Sequence, residues 1–500
     1  MKSALWLSIR GRRSPCVRFI PPGVLCCVAC AAMSSSAAVH YTDSHSSNPV
    51  PPYSDWTTAA VTIQDAVDIA NAGDVVLVAP GTYSKGGHTV GGTLTNRVAI
   101  TNAITVQSTD GPVVTVIQGG TNYDVRCVYL ANSAVLAGFT VALGGTLATG
   151  TDSVGAGVLC QSTSAIVSNC VVRDNSASYY GGGSYKGTLV NCTITNNYAL
   201  QGAGGGAYQS ALNNCLVVGN RSANYGGGTY QSTLNSCLVA SNTLAGLAYG
   251  IGAAMSTLNN CTVVGNRGGG GGTYQCALNN CVVYYNGAIV NGSTSNANYY
   301  AGTLTNCCTT PLPAAGSGNF TAPPQFADLA GGNFSLQPGS PCINAGNNRY
   351  AVGATDLAGA PRISGGTVDA GAYEFGVPSS VISYAWLQMY GLPTDGSADF
   401  VDTDGDGMNN WQEWRCGTDP TNILSVLAML PPTGAASVLT VSWQSVTNRA
   451  YYVQRALGLG IPAVFQTIGT NIAGQAGTTA FTDHSASGSG PFYYRVGVQP

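Results

Sequence analysis

Leu212-Asn213-Asn214-Cys215-Leu216-Val217-Val218-Gly219-Asn220, Leu234-Asn235-Ser236-Cys237-Leu238-Val239-Ala240-Ser241-Asn242 and Leu258-Asn259-Asn260-Cys261-Thr262-Val263-Val264-Gly265-Asn266 are one nine-residue phrase three times over. It recurs around Cys170, Cys192, Cys215, Cys237, Cys261, Cys281 and Cys307, at separations of 22, 23, 22, 24, 20 and 26 residues. An aliphatic residue stands three before each cysteine, and Asn or Ser immediately before it. Val or Ile stands two after the first six, and Asn175, Asn197, Asn220, Asn242, Asn266 and Asn286 stand five after. A fixed period near 23 is the signature of a solenoid. The short apolar alternation does not fit the 3.6-residue period of a helix. The glycine runs in each unit exclude a helical hairpin, and one or two leucines per unit are too few for a leucine-rich repeat. A parallel β-helix remains, with coils stacked about 4.8 Å apart. Stacked asparagines can bond amide to amide, and cysteine fills a narrow interior as a small hydrophobe. The ladder presents parallel Cβ vectors, whereas a disulfide draws its Cβ atoms to about 3.8 Å. Free buried thiols are therefore expected.

Working outward, residues 62–71 place Ile63, Ala66, Val67 and Ile69/Ala70 on one helical face, before Gly73-Asp74 and the strand-like Val75-Val76-Leu77-Val78. A short amphipathic helix of this kind caps the open end of a solenoid. Further upstream, Lys2, Arg10, Arg12, Arg13 and Arg18 precede an apolar stretch from Phe19 to Met33, then small residues to Ala38. This reads as a secretory signal over 1–38, cut before Val39, and predicts a secreted or cell-surface protein with no transmembrane segment in the mature chain. The whole chain of 500 residues is 8 % charged, with 67 glycines. Losing 1–38 and its five basic residues leaves 13 basic against 21 acidic residues, net −8. Such a surface is built from amides and hydroxyls and has no basic stretch to neutralise a nucleic acid.

The run Ile63-Gln64-Asp65-Ala66, Gly73-Asp74-Val75-Val76-Leu77-Val78 and Pro80-Gly81-Thr82-Tyr83 resembles the opening of the pectin-lyase-like right-handed β-helix superfamily. The resemblance implies an all-β, right-handed parallel β-helix solenoid with an N-terminal capping helix over 39–328. The motifs GGGSY, GGGAY and GGGTY, with V-x-x-N after each cysteine, are similar to the paired repeats of polymorphic outer-membrane adhesins. In 329–376, Phe334-Ser335-Leu336-Gln337-Pro338-Gly339-Ser340-Pro341-Cys342, Gly359-Ala360-Pro361-Arg362 and Val368-Asp369-Ala370-Gly371-Ala372-Tyr373-Glu374 resemble the choice-of-anchor end region of exported bacterial β-helix proteins. That resemblance implies an exported protein and a C-terminal cap; Asp356, Arg362, Asp369 and Glu374, the densest charges near the solenoid, read as an ion-paired cap, with a catalytic carboxylate pair as the alternative. Residues 424–500 alternate as short strands around Trp443, Tyr451-Tyr452-Val453 and Tyr494, a small antiparallel β-sandwich similar to a fibronectin type III module.

Between them, in 377–423, Asp402-Thr403-Asp404-Gly405-Asp406-Gly407-Met408-Asn409-Asn410-Trp411-Gln412-Glu413 fits D-x-D-x-D-G-x5-E. Ca²⁺ takes six to eight oxygens. Asp402, Asp404 and Asp406 supply alternate carboxylates, Met408 its carbonyl, Asn410 a direct or water-bridged contact, and Glu413 a closing bidentate carboxylate. The stretch resembles dockerin and thrombospondin type 3 loops. With one complete loop where dockerins pair two, it predicts a structural calcium clip between domains.

No Asp or Glu lies between Asn175 and Ala327. Glycoside hydrolysis needs two carboxylates about 5–9.5 Å apart, and the regular coils supply none. Arg173 and Asp174 are the nearest pair for lyase chemistry, and no catalytic residue is assigned. Tyr185, Tyr208, Tyr230, Tyr274 and Tyr300 each stand seven before a ladder cysteine, with Gln209, Gln231 and Gln275 following three of them. Facing outward, Tyr208, Tyr230 and Tyr274 with these glutamines form an aromatic and amide stripe suited to a polysaccharide. Sharing parity with the buried leucines, the tyrosines pack inward and only the glutamines remain exposed. The expectation is an exported, non-catalytic adhesion or glycan-binding scaffold that meets an extracellular polysaccharide or a cell-surface component. The alternative is a lyase-type enzyme acting on an extracellular glycan.

Overall fold

A coil can be followed from Ala207. Ala207–Tyr208 lies in sheet A, the chain turns at Gln209, and Ala211–Asn213 returns to the same sheet. It turns again at Asn214 into Leu216–Val218 of sheet B, and at Gly219 into Arg221–Ser222 of sheet C. Gly226–Gly228 then lead to Thr229–Tyr230, one coil on. The computed structural model describes residues 37–500 apart from 121, 123, 148–149, 247–248, 291–292, 297, 436–437, 461–463, 487–489 and 500, so all but the end of the expected signal lies outside it.

Successive coils pair in parallel and in register. Leu189, Leu212, Leu234, Leu258, Leu278 and Leu304 are consecutive partners in sheet A, as are Val172, Ile194, Val217, Val239, Val263 and Val283 in sheet B. The chain is a right-handed parallel β-helix, the hand that parallel crossovers take. The corner before each ladder cysteine is left-handed: φ is 50–53° at Asn169, Asn191, Asn214, Ser236, Asn260, Asn280 and Asn306. Asparagine tolerates that region better than most residues, which accounts for the asparagine beside the cysteine. The second asparagine row points inward. Asn175, Asn197, Asn220, Asn242, Asn266 and Asn286 are buried, each donating its amide N–H to the carboxamide oxygen of the next at 2.9–3.1 Å, as far as Asn286. This ladder explains one glycine of each triplet: a Cβ on Gly228 would lie 2.4 Å from the Gly252 carbonyl and 3.0 Å from Asn242 Nδ2. The ladder cysteines are buried free thiols.

Helix α1 (Ile63–Ile69), N-capped by Thr62, buries Ile63, Gln64, Ala66 and Val67 against the first coils. The expected C-terminal end cap is instead a flank clasp. Residues 320–376 turn back along the outside of sheet B, where Phe326, Leu336, Cys342, Ile343 and Ala370 pack on Leu238, Ala240, Val264 and Val282. Asn214 Nδ2 reaches Thr355 Oγ1 at 3.2 Å, three coils short of Cys281. The boundary at 328/329 falls within a hairpin, because Phe326–Asp328 pairs with Asn333–Leu336. Two short helices follow, α2 (Tyr384–Met389) and α3 (Asn410–Cys416). The C-terminal region is two three-stranded antiparallel sheets around Val441, Trp443, Tyr451 and Val453.

Candidate functional site

The tyrosine row faces outward. Ala207 and Ser210 are buried while Tyr208 is half-exposed and Gln209 exposed. Gln209, Gln231 and Gln275 have φ of 51°, 50° and 48°, so each spends one residue in a left-handed corner. That corner reverses the alternation between Tyr208 and Leu212, which is why parity with the leucines does not put the tyrosines inside. Tyr185 and Tyr208 stack at 5.2 Å between ring centroids and 5° between planes, and Tyr208 and Tyr230 at 5.5 Å and 18°. Ala254 interrupts the row, and Tyr225 fills in, 6.0 Å from Tyr230 and 5.7 Å from Tyr274. Tyr274 stacks on Tyr300 at 5.8 Å, with Tyr249 against both. With Tyr179 and Tyr180, nine tyrosines form one connected network. It runs roughly 24 Å along the axis at the coil spacing. Sequence reasoning missed Tyr179, Tyr180, Tyr225 and Tyr249; the signal was a tyrosine directly before a glycine at Tyr180-Gly181, Tyr225-Gly226 and Tyr249-Gly250.

Because stacked rings cover one another's faces, the row turns edges and hydroxyls to solvent. Burial, then Tyr180, Tyr185 and Tyr230, push the Tyr208 phenol up to about 12. Beside the row, Gln209 Nε2 donates to Gln231 Oε1 at 3.0 Å. Lys186 holds the equivalent corner one coil earlier, its Nζ 5.4 Å from the Tyr185 ring centre. There the surface dips into a cavity of about 420 Å³ lined by Tyr129, Thr151, Gln161, Tyr180, Tyr185 and Lys186.

The acids lie elsewhere. Arg173 and Asp174 pair with each other at the corner between sheets B and C, with Asn196 Nδ2 on Asp174 Oδ1. Arg221 and Arg267 are in register two coils apart, through Thr243. In the flank clasp, buried Arg362 and Glu374 pair at 2.6 Å; Asp356 and Asp369 accept backbone N–H groups. Among the described residues, no carboxylate pair faces the tyrosine row.

The loop from Asp402 to Glu413 gathers its carboxylates. Oxygens of Asp402, Asp404 and Asp406 lie within 4.8 Å of one another. The aspartates hold the loop: Asp402 Oδ1 accepts Gly405 N–H at 2.8 Å and its Oδ2 Gly407 N–H at 3.0 Å, Asp404 Oδ1 accepts Asp406 N–H at 3.2 Å, and Asp406 Oδ1 accepts Met408 N–H at 2.7 Å. The left-handed φ of Gly407, 96°, makes the turn. Glu413 is wholly buried on α3, which Asn409 and Gln412 open with a capping box. Asp404 Oδ2, Asp406 Oδ2 and Glu413 Oε2 are buried without a partner, which is costly for anionic oxygens unless a cation joins them. Burial, then Asp404, Asp406 and Asp402, raise the Glu413 carboxyl to about 7. The donor set fits a hard divalent cation such as Ca²⁺. Asn410 serves the loop differently: its Oδ1 accepts the Thr403 hydroxyl at 2.9 Å and its Nδ2 binds the Ala398 carbonyl at 2.8 Å. One oxygen lone pair is left for a bridging water.

No protein-family model matches the chain, and no curated protein matches it. Among solved structures, the chain is similar to the pectate lyase Pel9A at 14 % identity, over 68 % of this chain and 97 % of that one, with a TM-score of 0.44. A rhamnogalacturonan lyase matches at 15 % identity over 54 % and 68 %, TM-score 0.27. XylC in complex with xylose matches at 9 % identity over 67 % and 98 %, TM-score 0.33. Likeness at this level leaves activity open.

Proposed function

We propose that the chain is an exported, non-catalytic carbohydrate-binding β-helix protein, whose partner is an extracellular polysaccharide or a glycan of a cell surface. The connected tyrosine network beside the glutamine corners carries this reading. Phenol hydroxyls and carboxamides repeated at the coil spacing suit a polymer of repeated hydroxyls, and ring edges and the Lys186 cavity offer apolar contact to sugar C–H groups. Hydrolysis needs a pair of carboxylates, and a pectate-lyase-like mechanism needs a carboxylate-bound cation beside its base; residues 175–327 contain no Asp or Glu for either. Ca²⁺ has a structural part in this reading, held by Asp402, Asp404, Asp406, the Met408 carbonyl and Glu413, with Asn410 behind a water.

Passing the purified protein over immobilised polysaccharides, while following new unsaturated ends, tests both classes of activity. Retention without unsaturated ends is expected, weakened at least tenfold by the double substitution Tyr208→Ala/Tyr230→Ala. Release of unsaturated oligosaccharides would establish the lyase alternative. Retention indifferent to those substitutions would move binding off this face.

A further inference from the structure

Asp74 is a buried carboxylate, 6 % exposed, built around the first hydrogen-bonded residue of the described chain. Its Oδ1 accepts the N–H of Ala38 at 2.8 Å. Its Oδ2 accepts the N–H of Asn71 at 2.8 Å and faces His40 Nε2 at 3.2 Å. The Asn71 and Ala38 bonds, then His40, hold the carboxyl below the usual carboxylate range. The Ala38 carbonyl accepts Val75 N–H at 2.9 Å, and Val39–Thr42 then pairs with Val75–Val78. Ala37, Ala38 and Val39 are exposed.

Several registers satisfy the small-residue rule for a leader peptidase, among them Ala29/Ala31, Ser34/Ser36, Ser35/Ala37 and Ser36/Ala38, and the last two fall at the edge of the first paired strand, which begins at Val39. Cutting before Val39 uses Ser36 and Ala38; cutting before Ala38 uses Ser35 and Ala37. The first discards both Ala38 contacts and strips Asp74 Oδ1 of its donor. The second keeps both and places a positive charge on the Asp74 carboxylate.

We infer that the leader is removed between Ala37 and Ala38 and that the new α-ammonium of Ala38 forms an ion pair with Asp74. Water adds across the amide: its oxygen goes to the Ala37 carbonyl, which leaves as carboxylate, and its protons leave Ala38 as an ammonium. The strand partner of Val75–Val78 and the charge partner of Asp74 are thereby made by the same cut. His40 is the other titratable group on Asp74.

The inference rests on the export reading, and one preparation separates the two. The full chain is expressed in a secreting bacterial host and the exported protein is read by intact mass and N-terminal sequencing. A mature chain beginning at Ala38 is expected. An exported chain beginning at Val39 or elsewhere overturns this inference alone, whereas an uncleaved, retained chain overturns the export reading with it. The ion pair is tested on the mature protein by acylation of the α-amine near neutral pH. One unit of raised amine pKa lowers the reactive fraction about tenfold, so native protein should react several-fold more slowly than Asp74→Asn. A chain made to begin at Val39 tests the same contacts without altering Asp74 and should melt lower. Equal acylation rates, or equal melting, would overturn the ion pair.

Discussion

Asn242 has no exposed surface, and its carboxamide is used on both sides. Its Oδ1 accepts the backbone N–H of Asn220 at 2.9 Å and the Asn220 side chain at 3.1 Å; its Nδ2 donates to the Val217 carbonyl and Asn266 Oδ1, both at 2.9 Å. Asn242→Ala strands several buried polar groups at once and should cost about 3 kcal/mol or more, since each unmet group costs about 1–3. The outer ladder gives the control: Asn235 donates to Asn213 at 2.9 Å with solvent alongside, so Asn235→Ala should cost about 1 kcal/mol. Equal losses of melting temperature would remove the inner ladder from its place in holding the coils together. Tyr208 gives a residue-scale prediction in pH. Its phenol titrates in the fold near 12, above about 10 for an exposed tyrosine. The fold favours the neutral form, so this contribution to stability is complete below pH 10 and lost as pH rises through about 12. Phenolate absorbance should show a late component, shared with buried Tyr83, that Tyr208→Phe reduces; a late component unchanged by Tyr208→Phe would mean that the stack is open to water. These two residues were unequally readable. Asn242 announced itself as one of the asparagines that recur five after six of the seven ladder cysteines. Which way Tyr208 faces depended on the left-handed torsion at Gln209, and glutamine carries no preference for that region.

At the scale of an element, the three corners of a coil differ in the same way. The corner before each cysteine uses Asn or Ser and was visible in the repeat, whereas Lys186, Gln209, Gln231, Met255 and Gln275 share a left-handed corner with no residue type in common. Sheet B carried an unread signal. Its outward positions are Thr193 and Thr195 in one coil but Leu216 and Val218 in the next, then Leu238 and Ala240, and the apolar stretch is what the flank clasp covers. In the sequence these leucines and valines are ordinary strand residues, and what packs on them lies some hundred residues further along the chain. The acidic loop was readable as a candidate cation site because Asp402, Asp404, Asp406 and Glu413 fall within twelve consecutive residues. It predicts opposite outcomes for one substitution. In calcium, Glu413→Gln should lower the melting temperature, losing up to about 3 kcal/mol where calcium exceeds its dissociation constant a hundredfold. In chelator it should leave stability equal or raised, because a neutral amide relieves the crowding among Glu413, Asp404, Asp406 and Asp402 that raises the carboxyl to about 7. Equal loss in both conditions would make the loop an acidic turn without a cation. The thiol ladder is tested by alkylation: Cys215, Cys237 and Cys261 have no exposed surface and should react only on unfolding. Fast labelling in the native state would open the coil interior.

At the scale of the whole molecule, the acidic loop Asp402–Glu413 lies on the path by which the sandwich is attached to the solenoid. On one side, Tyr384 of α2 is buried in the flank-clasp core and its N–H donates to the Ile343 carbonyl at 3.1 Å. Ile382, Leu387 and Ala398 form a small core with Trp386, Leu392 and Trp414, and Asp399 accepts from Ser380 Oγ at 2.6 Å and Val381 N–H at 2.9 Å. On the other side, the Trp414 and Arg415 carbonyls at the end of α3 accept from Arg449 of the sandwich at 3.3 and 3.1 Å. Beyond Ala398 and Asp399, which the small core and the Ser380 and Val381 bonds hold, residues 400–409 contain no helix or strand, and their order rests chiefly on the aspartate turns and on any ion they hold. Removing the ion leaves Asp404, Asp406 and Glu413 with partnerless buried oxygens, which should loosen α3 before either flanking core is disturbed. Limited proteolysis of the mature chain in chelator should therefore cut within residues 400–409, leaving a solenoid fragment that retains the native melting of its coils. Calcium should protect that span, and Glu413→Gln should be cut there even in calcium. Cutting at the same rate with and without calcium would mean that the packing around Trp414 and Arg449 suffices to hold the junction. Cuts inside the coils would mean that the ion's effect reaches past the junction, which the separate cores of clasp and sandwich argue against.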